Sequence, residues 1–497
     1  MTRAALVLLG AFLGGAGAAA DAQAVGYRAL LDTQFESVAF RGLVIDSIRA
    51  DDVVTGPDGG LTTPDGIAVH CVPGFEYCTF YRPGPEQQNR PWVTTGSVSL
   101  WGLGAPGLSF RSIARVATDV GGAGVWPGTD PALQLLEAVA EWARPSVVVR
   151  AGRMHEVTRF GAAGFDGGHG EVRLLQQRAR AFVYGGWGLA EGVALPVTHE
   201  ALNPLDQIQP KDREHVLGLG AAWTSVAFDA RAIYQREVHP PSDNFLTERI
   251  GAEAGVRLPL AISLSAGSDW DLLRGVWGSA EARLAARGAA VGVRRYRPRF
   301  DLWTIWDAFS PVPYRAGYAE VSLAPVRNVE VHGRGELYEF EDAEAATPLV
   351  AEEDGGWRWS AGGTWRAAPA WSVGAGLHQE YGPGASSLGY QARVSVDPAR
   401  GLTVAALGSW LDRPLEFRYS DAEVLSFGLE ADWRPSPRLR FSAKLRRFDE
   451  ERNRPDAAAF EWDQLRVGLG ATFLFDSAPG LSIPPAVWRI PERGGGA

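Results

Sequence analysis

The feature that most constrains this chain is an alternation of apolar and polar residues that begins near Arg28 and stops at Phe475. Segments of about ten to twelve residues come in pairs, with a tight turn inside each pair and a longer polar link between pairs. Residues 357–366 show the rule. Trp357, Trp359, Ala361, Gly363 and Trp365 fall on one face, and Arg358, Ser360, Thr364 and Arg366 on the other. After the turn at 367–370, Trp371, Val373, Ala375 and Leu377 resume the apolar face. A period of two specifies β-strands. Hairpins with bulky apolar groups on one face and charges on the other, repeated along the chain, fit a closed wall between lipid and water.

The start of the chain points to export. Met1 and Arg3 precede an apolar run from Ala4 to Gly17, and small residues follow with cleavage sites after Ala20, Ala22 or Ala24. This is the layout of a secretory signal peptide, assigned to residues 1–22. No later stretch reaches the roughly twenty apolar residues of a membrane helix. Mean hydropathy is only −0.09 despite 18 Trp, because alternation averages the two faces. The two cysteines, Cys71 and Cys78, predict a local disulfide bracing a surface turn around Pro73 and Gly74. With His70 they make too few ligands for a structural metal site.

In order, the hairpins predict an all-β fold: a transmembrane up-and-down antiparallel barrel of about 22 strands, in a range of roughly 18–24. The barrel is assigned to residues 25–475 and a periplasmic tail to 476–497. Short links such as 143–145, 259–260 and 435–436 alternate with long ones at 42–91, 188–212, 299–314, 341–354 and 450–459. Short periplasmic turns and long extracellular loops follow, and an even count leaves both chain ends in the periplasm. Strands are expected at 146–156 and 167–175 with a link between them. Residues 131–144 could form a helix, but the hairpin rhythm favours a strand with Ala138, Ala140 and Trp142 toward lipid and Glu137 and Glu141 toward the lumen. Trp101, Trp187, Trp270, Trp357, Trp365, Trp371, Trp410 and Trp433 sit near segment ends, where interfacial girdles form.

Lumen-facing side chains decide what passes such a barrel. The registers place Arg178, Arg180, Arg249, Arg257, Arg358, Arg393, Arg440, Lys444 and Arg446 on that face, together with a mixed ladder of Glu330, His332, Arg334 and Glu336. Arg rows lower the barrier to anions and hold carboxylates by paired hydrogen bonds. Opposed Arg and Glu rows can equally brace one another across the lumen. Scattered histidines without zinc-ligand spacing, and no nucleophile elbow or phosphate loop, argue against an enzyme and against any cofactor or metal.

The closing segment, LRVGLGATFLF, resembles the C-terminal strand of Gram-negative outer-membrane β-barrels, with Gly470, Phe473 and Phe475 at the matching spacing. The resemblance implies insertion by the barrel-assembly machinery. It departs in having Gly468 at the usual polar position and 22 residues after Phe475. Gly152, Arg153 and Met154, followed by Phe165, Asp166 and Gly167, resemble a run in alginate-export and related substrate-specific porins, over under a tenth of the chain.

The reading is therefore a porin-like channel for passive or modestly selective diffusion of small solutes, anions being the class in view. Loops 42–91 and 188–212 are expected to narrow the lumen. A non-conducting structural or adhesive barrel, or a membrane-embedded hydrolase, is the alternative. Partners are outer-membrane lipid, the assembly machinery and the permeant, with no nucleic acid; oligomeric state is open.

Overall fold

A computed structural model describes residues 25–56, 60–121, 133–189, 214–239, 244–297, 313–341, 355–382, 385–413, 421–453 and 461–477. The signal-peptide segment, most of loop 188–212 and nearly all of the tail lie outside the described residues.

The strands, in chain order, begin with β1 (Gly26–Arg49), β2 (Val54–Thr55), β3 (Leu61–Thr62), β4 (Val69–His70) and β5 (Tyr77–Asn89). Then come β6 (Pro91–Trp101), β7 (Leu108–Asp119), β8 (Leu133–Ala143), β9 (Val147–Thr158), β10 (Gly161–Leu174), β11 (Ala179–Gly188) and β12 (His215–Thr224). β13 (Phe228–His239), β14 (Asn244–Leu258), β15 (Ile262–Asp271), β16 (Val276–Ala286), β17 (Ala289–Tyr296), β18 (Tyr314–Val326) and β19 (Val329–Phe340) follow. The chain closes with β20 (Gly355–Ala368), β21 (Trp371–Gly382), β22 (Ala385–Ala399), β23 (Leu402–Arg413), β24 (Asp421–Ser436), β25 (Leu439–Asn453) and β26 (Trp462–Asp476).

β1 and β6–β26 form a closed antiparallel barrel of 22 strands, each paired with its neighbours in sequence. The seam joins β1 to β26 from Arg28↔Asp476 to Ser37↔Val467. Closure satisfies every ladder position, because an open edge in hydrocarbon costs several kcal/mol per unpaired backbone group. Within the segment 131–144, Leu133–Ala143 is a strand, with Glu137 bonded to Arg111 and Glu141 to Arg150.

Gly26 and Asp476 lie at one rim, with short turns such as 287–288, 327–328, 369–370, 400–401 and 437–438. The strand ends that flank the long connections lie at the other rim. Outside, Leu217, Leu219, Val291, Val293, Leu425, Phe427, Leu429, Leu465 and Leu469 stand exposed in an apolar band. Trp187, Trp270 and Trp277 lie near one edge of the band, and Trp365, Trp371 and Trp433 near the other. A bare wall of that kind is stable only in lipid.

Residues 42–91 do not form a constricting loop. From Val38 onward β1 leaves the seam and pairs with β5, up to Arg49↔Tyr77, while β6 continues down the first half of β1. The result is a two-stranded arm rising from the loop-bearing rim. The strand rule simply continues past residue 41, through Val44, Ile45 and Ile48 opposite Arg82, Tyr81 and Cys78. Near its tip the sulfurs of Cys71 and Cys78 are bonded.

Candidate permeation pathway

Cross-strand register places the polar phase of each strand inside. On the β17–β20 wall, Glu336 accepts hydrogen bonds from Arg294 (2.6 Å), Arg358 (2.7 Å) and Arg334 (3.1 Å). Its side chain is 1% exposed. Arg283 pairs with Glu320, and the Tyr338 hydroxyl donates to Glu380. Arg294, Arg334 and Arg358 also lie over the rings of Tyr314, Tyr318 and Tyr338 at 4.8–5.6 Å, a placement that stabilises a partly desolvated guanidinium.

A second network crosses β22–β25. Glu430 accepts from Arg446 (2.7 Å) and Arg393 (3.1 Å), and Asp432 pairs with Arg440 and, at 3.5 Å, with Arg434. Each carboxylate is shared between arginines, so these rows brace the wall, and the guanidiniums outnumber the carboxylates that they share. Lys444 faces Glu430 in register but makes no ion pair within 4 Å among the described residues, and Arg466 bonds only Gln464 among its neighbours at that range. Nearer the turn-bearing rim, Arg257 pairs with Asp229 and Arg366 with Glu330, both at exposed positions, and His332 is exposed on the same inward face. Arg178 is displaced from its expected strand position: the β10–β11 connection takes in residues 175–178, so it sits in a rim turn. Arg180, the next inward residue, is 4.0 Å from Glu171.

The narrowing element was not legible as one. The expected link between 156 and 167 is instead strand, and β9 and β10 meet at a tight turn, Arg159 and Phe160. That turn folds into the barrel. Arg159 reaches Glu281 (3.2 Å) and Asp269 (3.8 Å) on β16 and β15. Phe160 lies against Gly251 of β14, and its carbonyl accepts from Arg249 (3.4 Å), whose guanidinium covers the ring at 5.5 Å. Lower down, Arg231 of β13 donates to Glu156 (3.4 Å). The loop-side ends of β9 and β10 therefore lie across the inner face of strands three to six positions further round the wall.

An apolar layer fills the interface. Val139, Met154, Ala163 and Phe165 pack on Phe182, Tyr184, Val216 and Ile233, with Phe160 beside them. Phe165 is fully buried and stacks on Tyr184 at 5.5 Å. Each large side chain moved from lumen water into that layer contributes about 1.5–3 kcal/mol. The bend that permits it is at Gly167↔Gly186, where a Cβ on Gly167 would stand 2.1 Å from the Gly185 carbonyl oxygen. No larger residue fits there without pushing the strands apart.

The motif halves at 152–154 and 165–167 turn out to be register partners: Gly152↔Gly167, Arg153↔Asp166 and Met154↔Phe165. Met154 and Phe165 point into the apolar layer. Arg153 and Asp166 point outward and form a two-pronged ion pair (2.8 and 2.9 Å) beside Trp187.

No protein-family model and no curated protein matches the chain. Among solved structures it is similar to the copper transporter OprC, with a TM-score of 0.45 and 10% identity over 92% of this chain and 81% of that one. It is also similar to the translocation pore of the P pilus usher PapC, with a TM-score of 0.41 and 10% identity over 90% and 99%. For OccD3 (OpdP) of Pseudomonas aeruginosa the TM-score is 0.40, with 10% identity over 93% and 94%. The closed strand order, the apolar outer band with its tryptophans and the charged inner face make the chain a 22-stranded outer-membrane β-barrel.

Proposed function

We propose that the barrel is a channel for passive, modestly selective diffusion of small solutes, with anions favoured. The observation that carries this reading is a pair of inner-face cations, Lys444 and Arg466 on neighbouring strands, that make no ion pair within 4 Å among the described residues, with Glu36 of β1 across the seam as the acid beside them. Charges facing water in a low-dielectric wall set the barrier to ions of either sign. The arginines around Glu336 and Glu430 serve as braces on this reading. The inward-folded β9–β10 turn supplies the constriction.

The test is the reversal potential of the purified protein in planar bilayers across a KCl gradient. Anion preference that falls in Lys444→Gln/Arg466→Gln supports the reading; cation preference in the unaltered protein overturns it. A barrel without conductance steps would be a structural or adhesive surface protein, a reading favoured by the apolar layer that fills one side of the lumen. Residues 1–22 are proposed as the signal peptide and 476–497 as a periplasmic tail. Gly470, Phe473 and Phe475 are proposed to be read by the assembly machinery.

A further inference from the structure

The outer wall carries a recess of about 480 Å³ at the seam, spread over β24, β25, β26, β1 and β6. Register gives its form. Trp433, Phe441, Ala471 and Thr33 lie side by side on successive strands. One step nearer the loop-bearing rim, so do Ala431, Ala443, Leu469 and Phe35. Trp433 and Phe441, stacked at 5.8 Å, wall the recess on the turn side, and Leu469 and Phe35 wall it on the loop side. Between these walls the floor is small, with Ala431 and Ala443 leading to Ala471 and Thr33. From Ala431 to Thr33 is three inter-strand steps, about 14 Å.

The recess opens onto the apolar band that faces lipid, so what fills it is hydrocarbon; left empty, its lining would forfeit dispersion contacts. Among the described residues no charged side chain lines it. One end is polar. Trp92 donates from Nε1 to the Thr33 hydroxyl (2.7 Å), which shares a hydrogen bond with the Thr94 hydroxyl (2.8 Å). Two hydroxyls joined by one hydrogen bond keep one O–H over, whichever of them is the donor. In hydrocarbon that hydrogen has no water to bond, and an uncharged acceptor is what it needs. Trp92, the second residue of β6, puts this end toward the loop-bearing rim, and Trp433 puts the other near the turn-bearing rim.

We propose that the recess is a binding site for one acyl chain of an ester-linked membrane lipid, from the leaflet at the loop-bearing rim. The ester carbonyl accepts from the Thr33–Thr94 pair, and the chain lies over Ala471, Ala443 and Ala431 toward Trp433. An ester carbonyl is neutral and accepts without donating, which suits both the spare O–H and a lining without a cation. A free fatty acid would bring a carboxylate that no lining residue neutralises. The inference depends on the barrel and its lipid face and goes beyond the channel reading: this lipid is held by the wall and does not pass through it.

The test is native mass spectrometry of the full chain in detergent, titrated with dimyristoylphosphatidylcholine and with its ether-linked counterpart, which has no carbonyl. The ester lipid should be retained as one molecule per barrel, roughly three- to tenfold more tightly than the ether lipid, as one hydrogen bond requires. Filling the floor in Ala443→Leu should weaken both lipids together. Trp92→Phe/Thr33→Val/Thr94→Val, which removes every donor of the polar end, should bind the two lipids equally. Heat-shifted migration on gels checks that the variants are folded, and the ester–ether comparison in the unaltered protein needs no variant. Equal retention of the two lipids by the unaltered protein overturns the site. So does an ester preference that survives in the folded triple variant, or unchanged retention in folded Ala443→Leu. Myristate bound more tightly than the ester lipid would give the recess to a fatty acid, and a dimer that Ala443→Leu dissociates would give it to a second copy; either overturns the proposal.

Discussion

Replacing Glu336 by glutamine would leave Arg294, Arg334 and Arg358 facing one another with no carboxylate between them. Because that side chain is buried, the cost should be large, about 3–5 kcal/mol. The expected result is a clear drop in the temperature at which the folded band is lost on gels, with Glu330→Gln at the exposed end of the same strand nearly neutral. Glu341 offers a pH test at the loop-bearing rim. Hydrogen bonds from Arg295 and then Arg315 hold its carboxyl down at about 2, against an ordinary value of 4.5. A depressed value means that the stabilisation is complete above about pH 4.5 and is lost as pH falls toward 2. Rim protease resistance should therefore fall over that window in the unaltered protein, and Glu341→Gln should be equally susceptible above and below it. At this scale strand parity groups Arg334, Glu336, Arg358, Arg393 and Arg446 on the polar face, and the arginines engage carboxylates of that face. It could not say that Glu336 gathers three arginines and Glu430 two, because all of these partners but Arg334 are 16 to 42 residues away and meet only once register is set.

The arm and the inward-folded hairpin are the two elements in which the expected layout and the observed one differ. In the arm, β1 runs for 24 residues, twice the wall's need, and its upper half is covered only by β5. The Cys71–Cys78 link should stabilise the tip by about 2–3 kcal/mol through the small loop that it closes. Cys71→Ser/Cys78→Ser should increase proteolysis within 60–76 while leaving barrel melting unchanged; a matching loss in the barrel would show that the arm supports the wall. In the hairpin, Arg159→Ser/Phe160→Ser removes both anchors across the lumen. Single-channel conductance should rise, and an unchanged conductance would mean that this turn does not limit flow. The hairpin was hard to read because its polarity is reversed. Met154, Ala163 and Phe165 are apolar and inside, whereas Asp166 is outside. A rule that assigns apolar residues to lipid places a loop there, although Thr158 and Gly161 frame a tight turn.

For the whole molecule, strand number and closure follow from counting alternating segments, since backbone groups in hydrocarbon have no solvent and must pair along the entire wall. All 22 wall strands correspond one for one to predicted segments, and both described ends reach the same rim as the even count requires. Alternation, turn residues and the final aromatic strand are local properties, written in neighbouring residues, so the chain alone determined a barrel, its topology and its two faces. The shape of the passage was decided elsewhere. Gly167 and Gly186 let the wall bend, Phe165 and Tyr184 hold it bent, and Arg180 lies beneath it 4.0 Å from Glu171. Those are contacts between strands several positions apart, and only the closed tertiary structure brings them within reach.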